Sequence, residues 1–386
     1  MDRFSKVPAN PAIIKWARLD SKFSKSQAIS KIGLSRLNQR RLDEIEDGSD
    51  EPTISEVLKF SKVYRRPFAY FFLPGTPPSI PELIDKRAGA GRGGDTKGGL
   101  SLAISRAYEI QNFVADMEGE NRLSTPQLIH PPNDIKNDPE ELAGWVKKQM
   151  GIGRVFSETI REPKEILESW LGAVEKLGII ALQETFSPND ASAFSVGDLT
   201  PPVLVLCFKD AERRRIFSLF HELAHILLKE KAICEINTKH LDNEERFCDK
   251  FAAHFLMPRI EIVELMKRLN KNENLDFLAE KISKFSGASE ESAFLRLVDL
   301  KYASMDDYFA RKPIWDQGYK DWLKRQKKKK GGPNPNPVGT AIRKNGRIVS
   351  NMISEAYQNG KISRSEASYF ARLPVTEIPK LIQRFK

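Results

Sequence analysis

Three features of the sequence predict an α+β protein that is mostly helical. Apolar residues recur at helical spacing over roughly 8–73, and again from Asp210 to about 300. Two short apolar runs, Gly178-Ile179-Ile180-Ala181-Leu182 and Val203-Leu204-Val205-Leu206-Cys207-Phe208, read as strands of a small sheet. Pro201-Pro202 stand before the second run, which suits a buried or an edge strand. A Gly- and Pro-rich joint, Pro74-Gly75-Thr76-Pro77-Pro78, then Ala88 to Gly94 and Gly98-Gly99, parts the first helical region from the rest. Such glycine density holds neither helix nor strand. It is not a phosphate loop, because no apolar strand precedes it and no Gly-Lys-Ser/Thr follows. The expected divisions are 1–74, a linker over 75–100, a middle domain over 101–311 and a basic C-terminal segment over 312–386.

In the first region Pro11 to Leu19 is one helix, Ser24 or Ser26 caps a second that ends near Gly33, and Ser35 starts a third that runs to about Ile45. Thr53-Ile54-Ser55-Glu56 resembles a capping box ahead of a fourth. The middle domain should hold helices near 101–118, 139–150 and 163–177 before its strands. The last segment opens at Pro313-Ile314-Trp315, carries the basic run Lys324 to Lys330 and an Asn-Pro spacer, and closes with two short helices around Gly360.

The 386 residues carry a formal charge of +10, unevenly spread. Residues 1–100 are net +6, 101–311 net −8, 312–348 net +9 and 349–386 net +3. Basic ends suit a polyanion such as nucleic acid, or are solvated surface. No apolar stretch is long enough to span a bilayer, and no apolar signal core follows Met1, which points to the cytoplasm and no membrane partner. Cys207, Cys234 and Cys248 show no paired spacing and read as reduced thiols.

The chemistry concentrates at His221-Glu222-Leu223-Ala224-His225. Histidines four apart on a helix lie about 40° apart and one turn up, so both imidazoles can reach one tetrahedral cation. Zinc suits nitrogen ligands, though manganese or iron also fits a His/His/Glu set. Glu222 is placed to act as general base on a water activated by that metal. The flanks are strongly apolar, so the helix should be buried. The plain alternative is a hydrogen-bonded pair of core histidines. Downstream, Glu245 and Asp249 are again four apart. Glu245 is the expected third ligand, and Asp249 would accept the other ring N–H of a ligating histidine. Glu244, turned about 100° away, is the alternative ligand. His254 falls about 180° around the helix from Glu245 and should not ligate. His240, expected in the loop before that helix, is a candidate transition-state hydrogen-bond donor at the rim. His130, beside Pro131-Pro132, should be structural, and Cys248 a small buried residue near the site.

Phe217 to His225, followed by Glu245-Arg246-Phe247-Cys248-Asp249-Lys250-Phe251-Ala252-Ala253-His254-Phe255-Leu256-Met257-Pro258, resembles the paired motifs of the ImmA/IrrE metallo-endopeptidases. The departures are Ala224 for a usual glycine, Cys248 for a common alanine, and the bulky Phe220. The resemblance implies a zincin-like domain with His221, His225 and Glu245 as zinc ligands and Glu222 as catalytic base. It also implies a protein substrate, in that family a helix-turn-helix transcriptional repressor cut during stress or mobile-element induction. Zincins take extended substrate beside an edge strand, which Val203–Phe208 or Ala193-Phe194-Ser195 would supply.

Residues 10–73 resemble the Xre-type helix-turn-helix often fused ahead of such peptidases, on Asn10-Pro11, Trp16-Ala17-Arg18, Gly33-Leu34-Ser35, Glu46-Asp47-Gly48, Pro52-Thr53 and the Tyr64–Pro74 tail. In a repressor the third helix would present Ser35, Arg36, Asn38, Gln39 and Arg40 to DNA. Asp43, Glu44, Glu46 and Asp47 would repel phosphates nearby, so protein docking is the alternative. The competing reading of the whole chain is a non-catalytic DNA-binding transcriptional regulator or antitoxin-like protein with the zincin fold as scaffold.

Overall fold

A computed structural model of the protein describes residues 5–64, 66, 68–75, 98–121, 130–156, 162–196, 201–228, 238–268, 274–328 and 336–385. The heart of the Gly-rich linker (76–97), the end of the basic run with most of the Asn-Pro spacer (329–335), and Cys234 lie outside the described residues. The chain divides into two units, Met1–Glu109 with Thr185–Ala191, and Ile110–Glu184 with Ser192–Lys386.

The first unit is helical. In α1 (Pro11–Asp20) the Asn10 side chain accepts the Ala12 N–H and proline fills the first turn, where no intrahelical N–H is needed. A capping box between Ser24 and Gln27 opens α2 (Lys25–Ile32), and Gly33 closes it with a φ of 63°. The third helix, α3 (Gln39–Asp47), starts later than predicted. Ser35 and Arg36 sit in a turn closed by the Leu37 N–H donating to the Leu34 carbonyl, and the Asn38 side chain caps the helix by accepting the Arg41 N–H. Asparagine caps as well as serine does, so composition alone does not choose between them. The fourth helix, α4 (Ile54–Tyr64), opens on the predicted box: the Thr53 N–H donates to the Glu56 carboxylate, and the Glu56 N–H to the Thr53 hydroxyl. Ile13, Ile14, Ala17, Leu42, Ile45, Val57, Phe60 and Phe71 form the core. Arg18 and Glu46, both buried, join α1 to α3 through two bonds of 2.6 and 2.8 Å. Removing either partner would leave a charge buried and unpaired, at a cost of about 3–5 kcal/mol.

Gly98 and Gly99, expected in the linker, instead open α5 (Gly98–Asn121). The first turn of a helix is not yet locked by i→i−4 bonds, and glycine is tolerated there. The second unit then continues with α6 (Pro139–Gln149), α7 (Pro163–Glu175), β1 (Ile180–Glu184), β2 (Ala193–Val196), β3 (Val203–Cys207), α8 (Glu212–Leu228), α9 (Thr238–Leu256), α10 (Arg259–Arg268), α11 (Leu275–Ser286), α12 (Glu290–Asp299), α13 (Met305–Lys328), α14 (Pro337–Gln358), α15 (Arg364–Ala371) and α16 (Ile378–Gln383). The expected mostly helical chain with one small sheet is what forms.

The sheet order is β1-β3-β2, with β1 parallel and β2 antiparallel to β3. Strand β3 is therefore central and wholly buried, and Val203–Phe208 offers no edge. Pro201-Pro202 do not push it outward. Proline lacks only the donor, and the Pro202 carbonyl accepts the Ile180 N–H at 2.9 Å. Strand β1 runs on into Gln183 and Glu184, each buried. Arg215 donates to the Gln183 side-chain oxygen, the Gln183 amide donates to the Arg343 carbonyl, and Arg372 pairs with Glu184. These partners lie up to 188 residues away in sequence, so a polar strand end gave no sign of belonging inside.

The chain after 311 also differs from expectation. Helix α13 passes through Pro313 without stopping, and three helices follow rather than two. The first of them, α14, kinks at Gly346 (φ 77°). A Cβ there would collide with the Glu175 carboxylate and the Ala181 carbonyl oxygen, so glycine is required on two counts. Buried Glu175, at the end of α7, accepts the Arg347 and Ile348 N–H groups just after the kink. It thereby caps the second half of α14. Burial outweighs these bonds and the Arg347 charge, and the carboxyl is pushed up to about 7 from its ordinary 4.5. The folded state thus holds the Glu175 proton more tightly than the unfolded chain, and stability falls as pH rises from about 4.5 to about 7. Compared with Glu175→Gln in denaturant melts, the wild type should lose at most about 3 kcal/mol across that window and nothing further above it. A difference independent of pH would show that folding leaves the Glu175 carboxyl at its ordinary pKa.

Candidate metal centre

Helix α8 is buried nearly all round, because it lies between α7, α9 and the β2–β3 side of the sheet. Ile216, Leu219, Phe220, Leu223, Ala224 and Leu227 fill that position. The bulky Phe220 is accommodated by stacking on Phe255 of α9 at 4.0 Å, with Trp170 of α7 edge-on to both. Contacts of this kind contribute about 0.5–1.5 kcal/mol each and fix the facing of α8 against α9. Fully buried Ala224 and Ala252 add no bulk to this core.

The facing brings His221, His225 and Glu245 together, with one ligating atom of each within 4.8 Å of the others. The two Nε2 atoms are 3.1 Å apart. The Glu245 carboxylate approaches them at 3.2 and 3.3 Å. The outer nitrogens are engaged separately: His221 Nδ1 meets Asp249 at 2.7 Å, and His225 Nδ1 meets Glu244 at 3.0 Å. Those carboxylates assign the ring protons to Nδ1, which leaves both Nε2 lone pairs aimed at one point beside an anionic oxygen. Lone pairs so close repel unless a proton or a cation lies between them. Burial opposes a charged His225, yet Cys248, Glu244 and Glu245 around it hold its pKa far above the usual imidazole value. The carboxylates thus favour positive charge at this point, and a divalent cation such as zinc, by displacing that proton, would leave two imidazole nitrogens and a carboxylate as its donors, with Asp249 and Glu244 already on the outer nitrogens.

Glu222 lies on the same turn of α8 as His221 and is buried. The predicted alternative for Glu244, direct ligation, does not match its position on the outer nitrogen of His225. Helices α8 and α9 run in opposite senses here, so Asp249 answers His221 and Glu244 answers His225. That pairing of spacings, four on one helix and five on the other, was present in the sequence as the signal for Glu244. His240 falls within α9, in its first turn, not in a loop as expected, and its side chain lies outside the described residues. His254 is on another face: its Nδ1 accepts from Arg296 at 3.1 Å, and burial with that guanidinium holds its pKa down. His130 is exposed. Cys248 is a fully buried free thiol against His225. Around the start of α3, Ser35, Arg36, Asn38, Gln39 and Arg40 are all exposed, with Asn38 engaged as the cap and Arg40 bonded to Glu44 at 2.9 Å.

Asp249→Asn and Glu244→Gln each remove one ring-orienting carboxylate without touching the ligating atoms. Each should weaken divalent-metal binding by about 10–100-fold in chelator competition while helix content is retained. Unchanged affinity in both would show that the Nδ1 contacts do not organise the centre.

Residues 174–298 match the peptidase M78 family model, described as an IrrE N-terminal-like domain. No curated protein and no solved structure matches the chain. The matched stretch runs from the end of α7 to α12 and contains both histidines, Glu222, Glu244, Glu245 and Asp249, so the whole centre lies inside it.

Proposed function

We propose that the protein is a zinc-dependent endopeptidase that regulates by cleaving another protein. The observation that carries this is the convergence of the His221 and His225 Nε2 atoms with the Glu245 carboxylate inside a peptidase-family domain. His221, His225 and Glu245 would hold the metal. A bound zinc supplies Lewis acidity, which polarises a peptide carbonyl and lowers the pKa of water. Glu222 takes the proton from the attacking water and delivers it to the leaving amine. Asp249 and Glu244 hold the imidazoles in the tautomer that keeps Nε2 free for ligation. The outer strand β2 is the candidate edge for an extended substrate, since β3 is enclosed and β1 is packed by α14.

The order α2, turn, α3 supports a helix-turn-helix role for the first unit, and the exposed group from Ser35 to Arg40 is its candidate contact surface for DNA or for a repressor of the same fold. A cytoplasmic regulator cutting a transcriptional repressor is the reading that joins both units. No helix among the described residues is long and apolar enough to cross a membrane.

The test is to express the wild type and Glu222→Gln in one host and catalogue new protein N-termini, with metal content measured on both purified proteins. The reading predicts about one metal per chain in both, and new N-termini with the wild type alone. Equal metal and identical N-termini would leave a metal-bound scaffold and remove the peptidase.

A further inference from the structure

A second site lies elsewhere in the same unit, and nothing in the peptidase reading uses it. Helix α7, the first half of α14 and the two residues that follow α16 line an open groove of about 780 Å³. Its wall holds four cations, Lys164, Arg343, Arg347 and Arg384, against one carboxylate, Glu168. The closest cation to Glu168 is Arg343, at 3.9 Å, too far for a hydrogen bond. Lys164, Arg347 and Arg384 form no side-chain ion pair among the described residues. The charge of Arg347 acts on buried Glu175, whose carboxylate is already taken up by two backbone N–H groups. Cations that share a groove repel one another, and an anion between them relieves that repulsion.

Asn336, Gly339 and Thr340, at the start of the half of α14 that precedes the Gly346 kink, also line the groove, with the Gly339 N–H already donated to the Asn336 side chain. The wall also contains Ile342 and Phe385, which supply an apolar and aromatic surface beside the charges. The volume lies in the range of pockets that hold compounds of nucleotide size.

We propose that this groove binds a multiply phosphorylated small molecule of nucleotide size. Its phosphates are matched by Arg343, Arg347, Arg384 and Lys164, and its ring by Phe385 and Ile342. The site involves none of the residues of the metal centre, so it stands whether or not the protein is a peptidase.

The experiment is calorimetric titration of the full chain with ATP at low ionic strength, with competition by inorganic pyrophosphate and by a single-stranded oligonucleotide. The test variant is Lys164→Gln with Arg384→Gln, two exposed side chains whose loss breaks no ion pair. The control is Lys267→Gln with Arg268→Gln, which removes the same charge from the exposed end of α10. Saturable one-site binding of ATP, competed by pyrophosphate, weakened at least about tenfold in the test variant and unchanged in the control, is the expected result. No saturable binding by the wild type, or equal weakening in both variants, overturns the proposal. Displacement by the oligonucleotide at lower concentration than by pyrophosphate overturns it too, and assigns the groove to a nucleic-acid backbone.

Discussion

Two imidazole nitrogens 3.1 Å apart, in a largely buried site lined by carboxylates, are the constraint around which the second unit is built. Such an arrangement is costly unless a proton or a cation occupies the point between them. It persists because each ring is held from behind, by Asp249 or Glu244, and because α8 and α9 cannot slide. The stack of Phe220 on Phe255 and the edge of Trp170 prevent that sliding. The sheet supports α8 from its other side. Polar groups of β1 that would otherwise be stranded inside are met by Arg215 of α8 and by Arg343 and Arg372 farther along the chain. The C-terminal helices thus complete the sheet that backs the metal centre.

Much of the centre was legible because its signal is local. His221 and His225 share one helix face, Glu245 and Asp249 share another, and helical geometry makes each pair converge without knowledge of the fold. Glu244 was weighed as a ligand because the relative direction of two helices is a tertiary fact. Once they are antiparallel, its place on the outer nitrogen of His225 follows. The caps of α2 and α4 were legible for the same local reason. The start of α3 was placed at Ser35 and lies at the Asn38 cap, and nothing local separates a serine cap from an asparagine one.

What sequence reasoning missed is long-range. The central position of β3 depends on β1 and β2 pairing on its two sides, and the run behind Pro201-Pro202 suited a buried or an edge strand equally. The kink of α14 depends on a glutamate 171 positions earlier in the chain filling the space that Gly346 leaves. The cationic groove is assembled from α7 and from helices near the end of the chain, so its residues looked like ordinary surface charge when read in order. In the first unit Arg18 and Glu46, 28 positions apart, likewise meet only in the fold, as a buried ion pair.

The most direct measurement on the central claim is X-ray absorption at the metal edge of the full chain loaded with zinc. The account predicts a first shell of nitrogen and oxygen only, with the multiple-scattering signature of two imidazoles, reduced to one in His225→Ala. A sulfur scatterer in that shell would bring Cys248 into the ligand set, and a shell without imidazole would place the metal elsewhere. Either would contradict the assignment of His221, His225 and Glu245.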